Sequence, residues 1–332
     1  MSERLKSLKH WLNEVLDSSD YELQPASEDA SFRSYYRLFI DNKTFIVMDA
    51  PPPQEDCAPF VQVTKILFAS GVNAPRIHHL DLKQGFLLLD DFGNDLYLNK
   101  LDANTANQLY SDAIKALVRM QSSADVNNLP LYDETLLRRE MQLFSEWLLG
   151  KHLEVELSDA QDKSIAALFD LLVENALEQP QSFVHRDFHS RNLMITADNN
   201  PGVIDYQDAV QGPITYDLVS LLKDCYIKWS KDEINKWVDF YLQQHAEKRA
   251  EKGTEINRQQ FQRWFDLMGV QRHLKASGIF ARLSHRDDKH GYLNDIPRTL
   301  SYIVDLKQDY SELAALCLLI EASILPKFEV VS

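Results

Sequence analysis

Apolar residues recur at helical spacing near the N-terminus, where Leu5, Leu8, Leu12, Val15 and Leu16 predict a helix that packs one face on the neighbouring chain. The period then shortens to two. Phe32, Tyr36, Leu38 and Ile40 alternate with polar positions over residues 30–49, and Phe45-Ile46-Val47-Met48 resumes after Asp41-Asn42-Lys43. The Asp-Asn pair predicts a hairpin turn. Pro51 to Pro53 forbid continuation of helix or strand. A helix with Phe60, Val61, Val63, Ile66 and Leu67 on its buried positions should end at Gly71. Ile77 to Leu80 and Phe86 to Leu89, around Lys83-Gln84-Gly85, complete a small sheet.

From residue 102 the pattern becomes helical. Ala106-Leu109-Ala113-Leu117-Met120 forms one periodic segment and Leu136-Leu143-Trp147 lies on another. Ser158 and Gln161 form a capping box ahead of Ile165-Leu168-Leu172. Further helices are predicted at about 214–229, 231–250, 257–285 and 309–322. The pattern predicts an α+β protein of two lobes. Residues 1–89 form a small β-rich N-lobe, 90–101 a connector, and 102–332 a large, mainly α-helical C-lobe.

Composition narrows the classes. A chain of 332 residues can bury a substantial core. Its 50 acidic and 35 basic residues give a formal charge of −15, which disfavours nucleic-acid binding as the main role. Cys57, Cys225 and Cys317 are scattered, without metal spacing or a disulfide framework, and are expected to be reduced core thiols. Met1 to Lys6 lacks the apolar core of a signal peptide. The longest apolar run, Leu313 to Ile320, is too short to cross a bilayer. No membrane association is expected, and the location should be cytoplasmic.

The candidate chemistry lies in Ser182-Phe183-Val184-His185-Arg186-Asp187-Phe188-His189-Ser190-Arg191-Asn192 and in Asp205. Leu193 to Thr196 reads as a short strand, Asp198-Asn199-Asn200-Pro201-Gly202 as a turn, and Val203-Ile204 as the return strand. Antiparallel pairing would bring Asn192 and Asp205 together, since neighbouring strands lie about 4.8 Å apart. A carboxylate and an amide oxygen are the hard ligands magnesium prefers. Asp187 is then left to accept a substrate hydroxyl proton. Together these residues point to phosphoryl transfer from Mg-ATP to a hydroxyl. His285-Arg286-Asp287 repeats the tripeptide but lacks the amide and the hairpin, and is expected to be a polar loop.

His185 to Asn192 and Ile204-Asp205-Tyr206-Gln207-Asp208-Ala209 resemble the signature of the aminoglycoside phosphotransferase and choline kinase group. The continuation Gly212 to Asp224 is closer to the cell-wall sugar kinases that act at the anomeric hydroxyl of N-acetylmuramate and N-acetylglucosamine. So are Val47 to Asp56, Gln271 to Lys275 and Gly278 to Leu283. The resemblance runs from about residue 28 to 300. It implies a protein-kinase-like two-lobed fold, ATP and Mg2+ as cofactors, and a small-molecule amino sugar as substrate in peptidoglycan recycling. It makes Asp187 the catalytic base, and Asn192 and Asp205 the magnesium ligands. His185 becomes a scaffold residue, and Asp217 a buried acid that accepts backbone N–H bonds from the loop. His189 either faces the γ-phosphate or structures the loop.

One departure concerns the nucleotide. The family's ATP-lysine should fall in Phe45 to Met48, where the candidate position is Met48, and the helix from Phe60 to Ser70 has no glutamate. Arg33, in Ala30-Ser31-Phe32-Arg33-Ser34-Tyr35, is the candidate replacement cation, with Glu55 as its partner. Leu87 to Gly93 should be the hinge, with Leu88, Leu89 and Asp90 placed at the adenine. Asp187, Arg191 and Asp208 are the candidate substrate contacts, and Arg282 and Arg286 belong to blocks near the same cleft. A monomer or weak dimer is expected. The alternatives are a kinase of the same fold acting on an aminoglycoside or amino alcohol, and a pseudokinase binding module.

Overall fold

In the computed structural model, which describes residues 2–28, 32–249 and 256–329, helix α1 (Glu3–Leu16) is capped by Ser2. The Ser2 hydroxyl accepts the Leu5 N–H at 3.2 Å. The helix buries Leu8, Trp11 and Leu12 against Leu38, Val47, Phe86 and Leu88, which project from one face of a sheet. That sheet is antiparallel, in the order β1 (Glu22–Glu28), β2 (Ser34–Ile40), β3 (Lys43–Asp49), β5 (Phe86–Asp90), β4 (Ile77–Asp81). Asp41 and Asn42 join β2 to β3 with φ of 49° and 59°, the left-handed pair a two-residue hairpin requires.

The edge strand β1 has no counterpart in the hydrophobic pattern. Its sequence is polar and contains Pro25, where the register with β2 slips. Proline is tolerated at an edge or bulge because no ladder bond is lost there. Phe32, read as part of the alternation, is exposed; Ala30 and Ser31 lie outside the described residues. Helix α2 (Ala58–Ala69) buries Phe60, Val63, Thr64 and Leu67 and ends at Gly71, whose φ is 70°. Gly85 (φ 73°) is required by packing as well. A Cβ there would meet the Ala50 carbonyl oxygen at 1.9 Å.

The chain divides into two units, Met1–Asp95 with Met194–Asp208, and Leu96–Leu193 with Ala209–Ser332. In the second, α3 (Ala106–Ser123) is followed by α4 (Glu134–Leu143), a π-helical stretch (Phe144–His152) and α5 (Asp159–Leu177). The Ser158–Gln161 capping box is present at the start of α5. Strand β6 (Gln181–Val184) leads into the loop that carries Asp187. The hairpin is shorter than its sequence suggested, with only Leu193–Met194 (β7) and Gly202–Val203 (β8) paired. Residues 194–208 group with the first unit. Val203 donates its N–H to Asn73 O at 2.8 Å and Ile195 to Asp95 O at 2.8 Å, bonds that tie the hairpin to the chain preceding it.

Strand β9 (Val210–Pro213) pairs antiparallel with β6. Helix α6 (Tyr216–Leu222) is much shorter than expected, because Asp224 turns inward to bond the loop that carries Asp187; α7 (Lys231–Arg249) comes next. Helix α8 (Arg258–Arg286) is buried over most of its circumference. His285 and Arg286 therefore belong to its last turn, not to a loop, where positive charge suits the helix dipole. A helix over Ile296–Val304 interrupts the predicted spacing, and the segment 309–322 is a mixture of 3-10, α and π turns. All three cysteines are buried and free. Among the described residues no helix is long and apolar enough to cross a membrane.

Candidate active site

The loop after β6 is fixed from behind by two acids. Asp217, in the first turn of α6 and wholly buried, accepts the His185 N–H at 2.6 Å and the Arg186 N–H at 3.0 Å. Asp224, equally buried, accepts from the Ser190 N–H at 3.0 Å and the Ser190 hydroxyl at 2.5 Å. Carboxylate acceptors make such bonds stronger than neutral ones. Between these anchors the backbone is contorted, with Arg186 at a φ of 77°. The Asp187 N–H donates to His185 Nδ1 at 3.2 Å, which requires the tautomer protonated on Nε2. His189 N–H at 3.0 Å and Asn192 Nδ2 at 3.0 Å both donate to the Asp187 carbonyl. Asp187 and Asn192 are thereby held on one short, cross-braced loop.

Charge sets the state of Asp187. Burial pushes its carboxyl up, but Lys275, His189, Arg272 and Arg186 outweigh it and hold the pKa down to about 2. Burial also lowers the pKa of His189, whose Nδ1 has no hydrogen-bond partner among the described residues, so the lasting positive charge comes from the other three. Those cations are themselves fixed. Lys275 donates to Tyr216 Oη at 2.9 Å and pairs with Glu140 at 3.2 Å, while Arg186 and the Tyr132 hydroxyl bond the same Glu140. Arg272 lies buried against Cys225 Sγ at 3.4 Å. Asp217 moves the other way. Burial lifts its pKa to about 6, against the pull of His185 and the two backbone N–H bonds.

On the same unit Arg191 comes after His189 and Ser190. Its guanidinium carbon lies 3.7 Å from the centroid of the Tyr226 ring and 5.8 Å from that of Tyr292. Tyr226 also meets the His189 ring edge-on at 5.5 Å.

The remaining predicted residues belong to the first unit. Asp205 is exposed, has a φ of 64°, and accepts from Gln207 Nε2 at 2.8 Å. Its neighbour Tyr206 is anchored to α2 through Thr64 Oγ1 at 2.9 Å and by stacking on Phe60. Asp208 is exposed. Arg33 pairs with Glu55 at 2.9 Å, both largely buried. Met48 is buried in β3 opposite Leu87. Leu88 and Leu89 lie inside β5, hydrogen-bonded to β3 on one side and β4 on the other, and Asp90 donates its N–H to Arg76 O. The Asp90 carboxylate is engaged by the Arg76 N–H at 3.1 Å and by His78 at 2.7 Å. The polar backbone of these three residues therefore serves the sheet. Next to them Arg37 clamps Asp91 at 2.6 and 3.0 Å and bonds Asn94 and the Gly93 carbonyl.

Sequence reasoning assigned no role to Glu140, Asp224, Tyr226, Arg272 or Lys275. One signal was present. Arg272 and Lys275 stand three apart on a helix with few exposed positions, so both cations share a face with nowhere to go but inward.

A family model described as the phosphotransferase enzyme family matches residues 22–253. A Pseudomonas putida protein named N-acetylmuramate/N-acetylglucosamine kinase is 44% identical over 331 residues, covering 94% of each chain. A Neisseria meningitidis protein of the same name is 42% identical, covering 96% of each. Among solved structures, a choline kinase from Streptococcus pneumoniae superimposes with a TM-score of 0.65 at 14% identity, covering 91% of this chain and 99% of its own. That likeness establishes the α+β, protein-kinase-like fold. Since the family model covers most of the chain and relatives match nearly all of it, the chain belongs to the phosphotransferase enzyme family.

Proposed function

We propose that the protein is an ATP- and magnesium-dependent kinase that phosphorylates the anomeric hydroxyl of N-acetylmuramate, N-acetylglucosamine or both, giving the sugar 1-phosphate for peptidoglycan recycling in the cytoplasm. The substrate is supported by the names of relatives that match along nearly their full length. The observation that carries the chemistry is an ionised Asp187 on a loop braced by Asp217 and Asp224. Residues 1–89 would serve the nucleotide, 90–101 would connect, and 102–332 would carry the acceptor site.

Asp187 would accept a hydrogen bond from the anomeric hydroxyl and take its proton. The sugar oxygen would bond to the γ-phosphorus as the bond from that phosphorus to the ADP oxygen breaks. A pKa of about 2 makes a weak base. It suffices where the transition state is loose and the proton leaves late. An anomeric hydroxyl also gives up its proton more readily than an ordinary alcohol, because its carbon bears the ring oxygen as well.

Asn192, through Oδ1, and Asp205, through its exposed carboxylate, would hold magnesium; both are hard oxygen donors flanking the β7–β8 pair. When bound, magnesium neutralises charge on the transferring phosphate. Arg33, kept in place by Glu55, would supply the phosphate cation that Met48 does not. With the backbone of Leu88, Leu89 and Asp90 committed to the sheet, adenine would find its polar partners from Asp91 onward and pack on the Leu89 side, since Leu88 faces the core under α1. Arg191 and Asp208 would face the acceptor.

The test is ADP release with N-acetylmuramate, N-acetylglucosamine, choline and an aminoglycoside. Turnover on an amino sugar is expected. Turnover confined to choline or the aminoglycoside overturns the assignment, as does nucleotide binding without turnover of any sugar.

A further inference from the structure

N-acetylmuramate differs from N-acetylglucosamine by a lactyl ether that ends in a carboxylate. A protein of formal charge −15 repels that group unless a local cation receives it. The buried cations nearest Asp187 are already committed, Lys275 and Arg186 to Glu140, and Arg272 to the packing around Cys225. Arg191 differs from all three. It is half-buried, two residues from His189, and among the described residues it forms no ion pair and no hydrogen bond. Its charge is met by the faces of Tyr226 and Tyr292, at 3.7 and 5.8 Å. A cation seated on aromatic faces is stabilised without spending its N–H donors. The seat is built: Phe280 of α8 stacks on Tyr292 at 5.5 Å and packs against Tyr226 at 6.3 Å, while Tyr226 also supports His189.

We propose that Arg191, held on the Tyr226–Tyr292 platform, receives the lactyl carboxylate of N-acetylmuramate and sets the preference between the two sugars. The proposal rests on the kinase function proposed for this chain. The planar guanidinium offers two parallel N–H bonds to a carboxylate, a geometry lysine cannot copy. Arg282 is the competing cation, since its Nε is buried without a hydrogen-bond partner among the described residues. It lies toward the end of α8, where Arg286 and Asp287 influence it.

The experiment compares kcat/KM for N-acetylmuramate, its methyl ester and N-acetylglucosamine, using the full chain with Mg-ATP. In the unaltered protein the ester should be the poorer substrate by about tenfold or more, the loss of a charge-assisted pair. In Arg191→Ala the acid-to-ester ratio should fall to near one, and the ratio of N-acetylmuramate to N-acetylglucosamine should drop by about tenfold or more, mainly through KM. Arg191→Lys should lie between. Equal use of acid and ester by the unaltered protein overturns the proposal, and this arm needs no variant to fold. An equal loss on all substrates in Arg191→Ala also overturns it, as does a ratio that responds to Arg282→Ala instead. No turnover of either sugar by the unaltered protein overturns the kinase function beneath it.

Discussion

Replacing Asp187 with Asn keeps the size of the side chain and removes its charge, so catalysis and folding can be separated at one position. If Asp187 takes the acceptor proton, kcat falls about 10²- to 10⁴-fold, the usual contribution of a general base. Nucleotide binding should stay near that of the parent, since the phosphate and metal contacts are assigned to other residues. The folding effect stems from the pKa, held at about 2 against a reference of 3.8. A depression of nearly two units corresponds to about 2 kcal/mol of native-state stabilisation by the Lys275, His189, Arg272 and Arg186 surround. For an acid with a depressed pKa, this stability is fully present above the unfolded value and is lost as pH falls through the folded one. Asp187→Asn should therefore be less stable than the parent by about 2 kcal/mol at pH 7 and pH 5, with the gap closing below about pH 4. Urea unfolding across that pH range, with ADP release and nucleotide titration at neutral pH, measures all three quantities. Retained turnover would refute the base assignment. A variant more stable than the parent at pH 7 would refute the stabilising cation field.

Asn192→Ala and Asp205→Asn should each raise the magnesium concentration for half-maximal rate about tenfold or more; an unchanged magnesium dependence at either position removes it from the metal site. Arg33→Ala should raise the KM for ATP about tenfold if this arginine stands in for the absent lysine, and an unaltered KM removes that role. Asp217→Ala strands the buried N–H of His185, at about 1–3 kcal/mol, and the part-buried N–H of Arg186, at less, so urea unfolding should show a loss of about 1–4 kcal/mol. A loss below about 0.5 kcal/mol would mean that water or a relaxed backbone satisfies them.

Legible in the chain beforehand was whatever depends on near neighbours in sequence. The Asp41-Asn42 turn, the Ser158–Gln161 capping box and the Gly71 terminus each need only a few consecutive residues, and each formed where expected. Strand β1 escaped because its stability comes from pairing with β2, while its own residues are polar and include Pro25. The same distinction divides the site. Asp187, Asn192 and Asp205 lie within nineteen positions, so spacing alone made them candidates. The field that keeps Asp187 ionised comes from Arg272 and Lys275, more than eighty residues away on α8, and from Glu140 on α4, which holds Arg186 and Lys275.

That division has a physical consequence for the site. Burying a cation is costly, and an acid that pairs with it offsets that cost. Glu140 serves Arg186, Lys275 and Tyr132 together, so one carboxylate on α4 supports two of the three lasting positive charges about the base. The loop motif carries Asp187, the proposed base. Helices α4 and α8 determine its charge state, and in Arg191 and Phe280 the loop and α8 also build the seat proposed for the acceptor's carboxylate. Helix α8 therefore serves both ends of the proposed reaction, the charge state of Asp187 through Arg272 and Lys275 and the seat for the acceptor's carboxylate through Phe280.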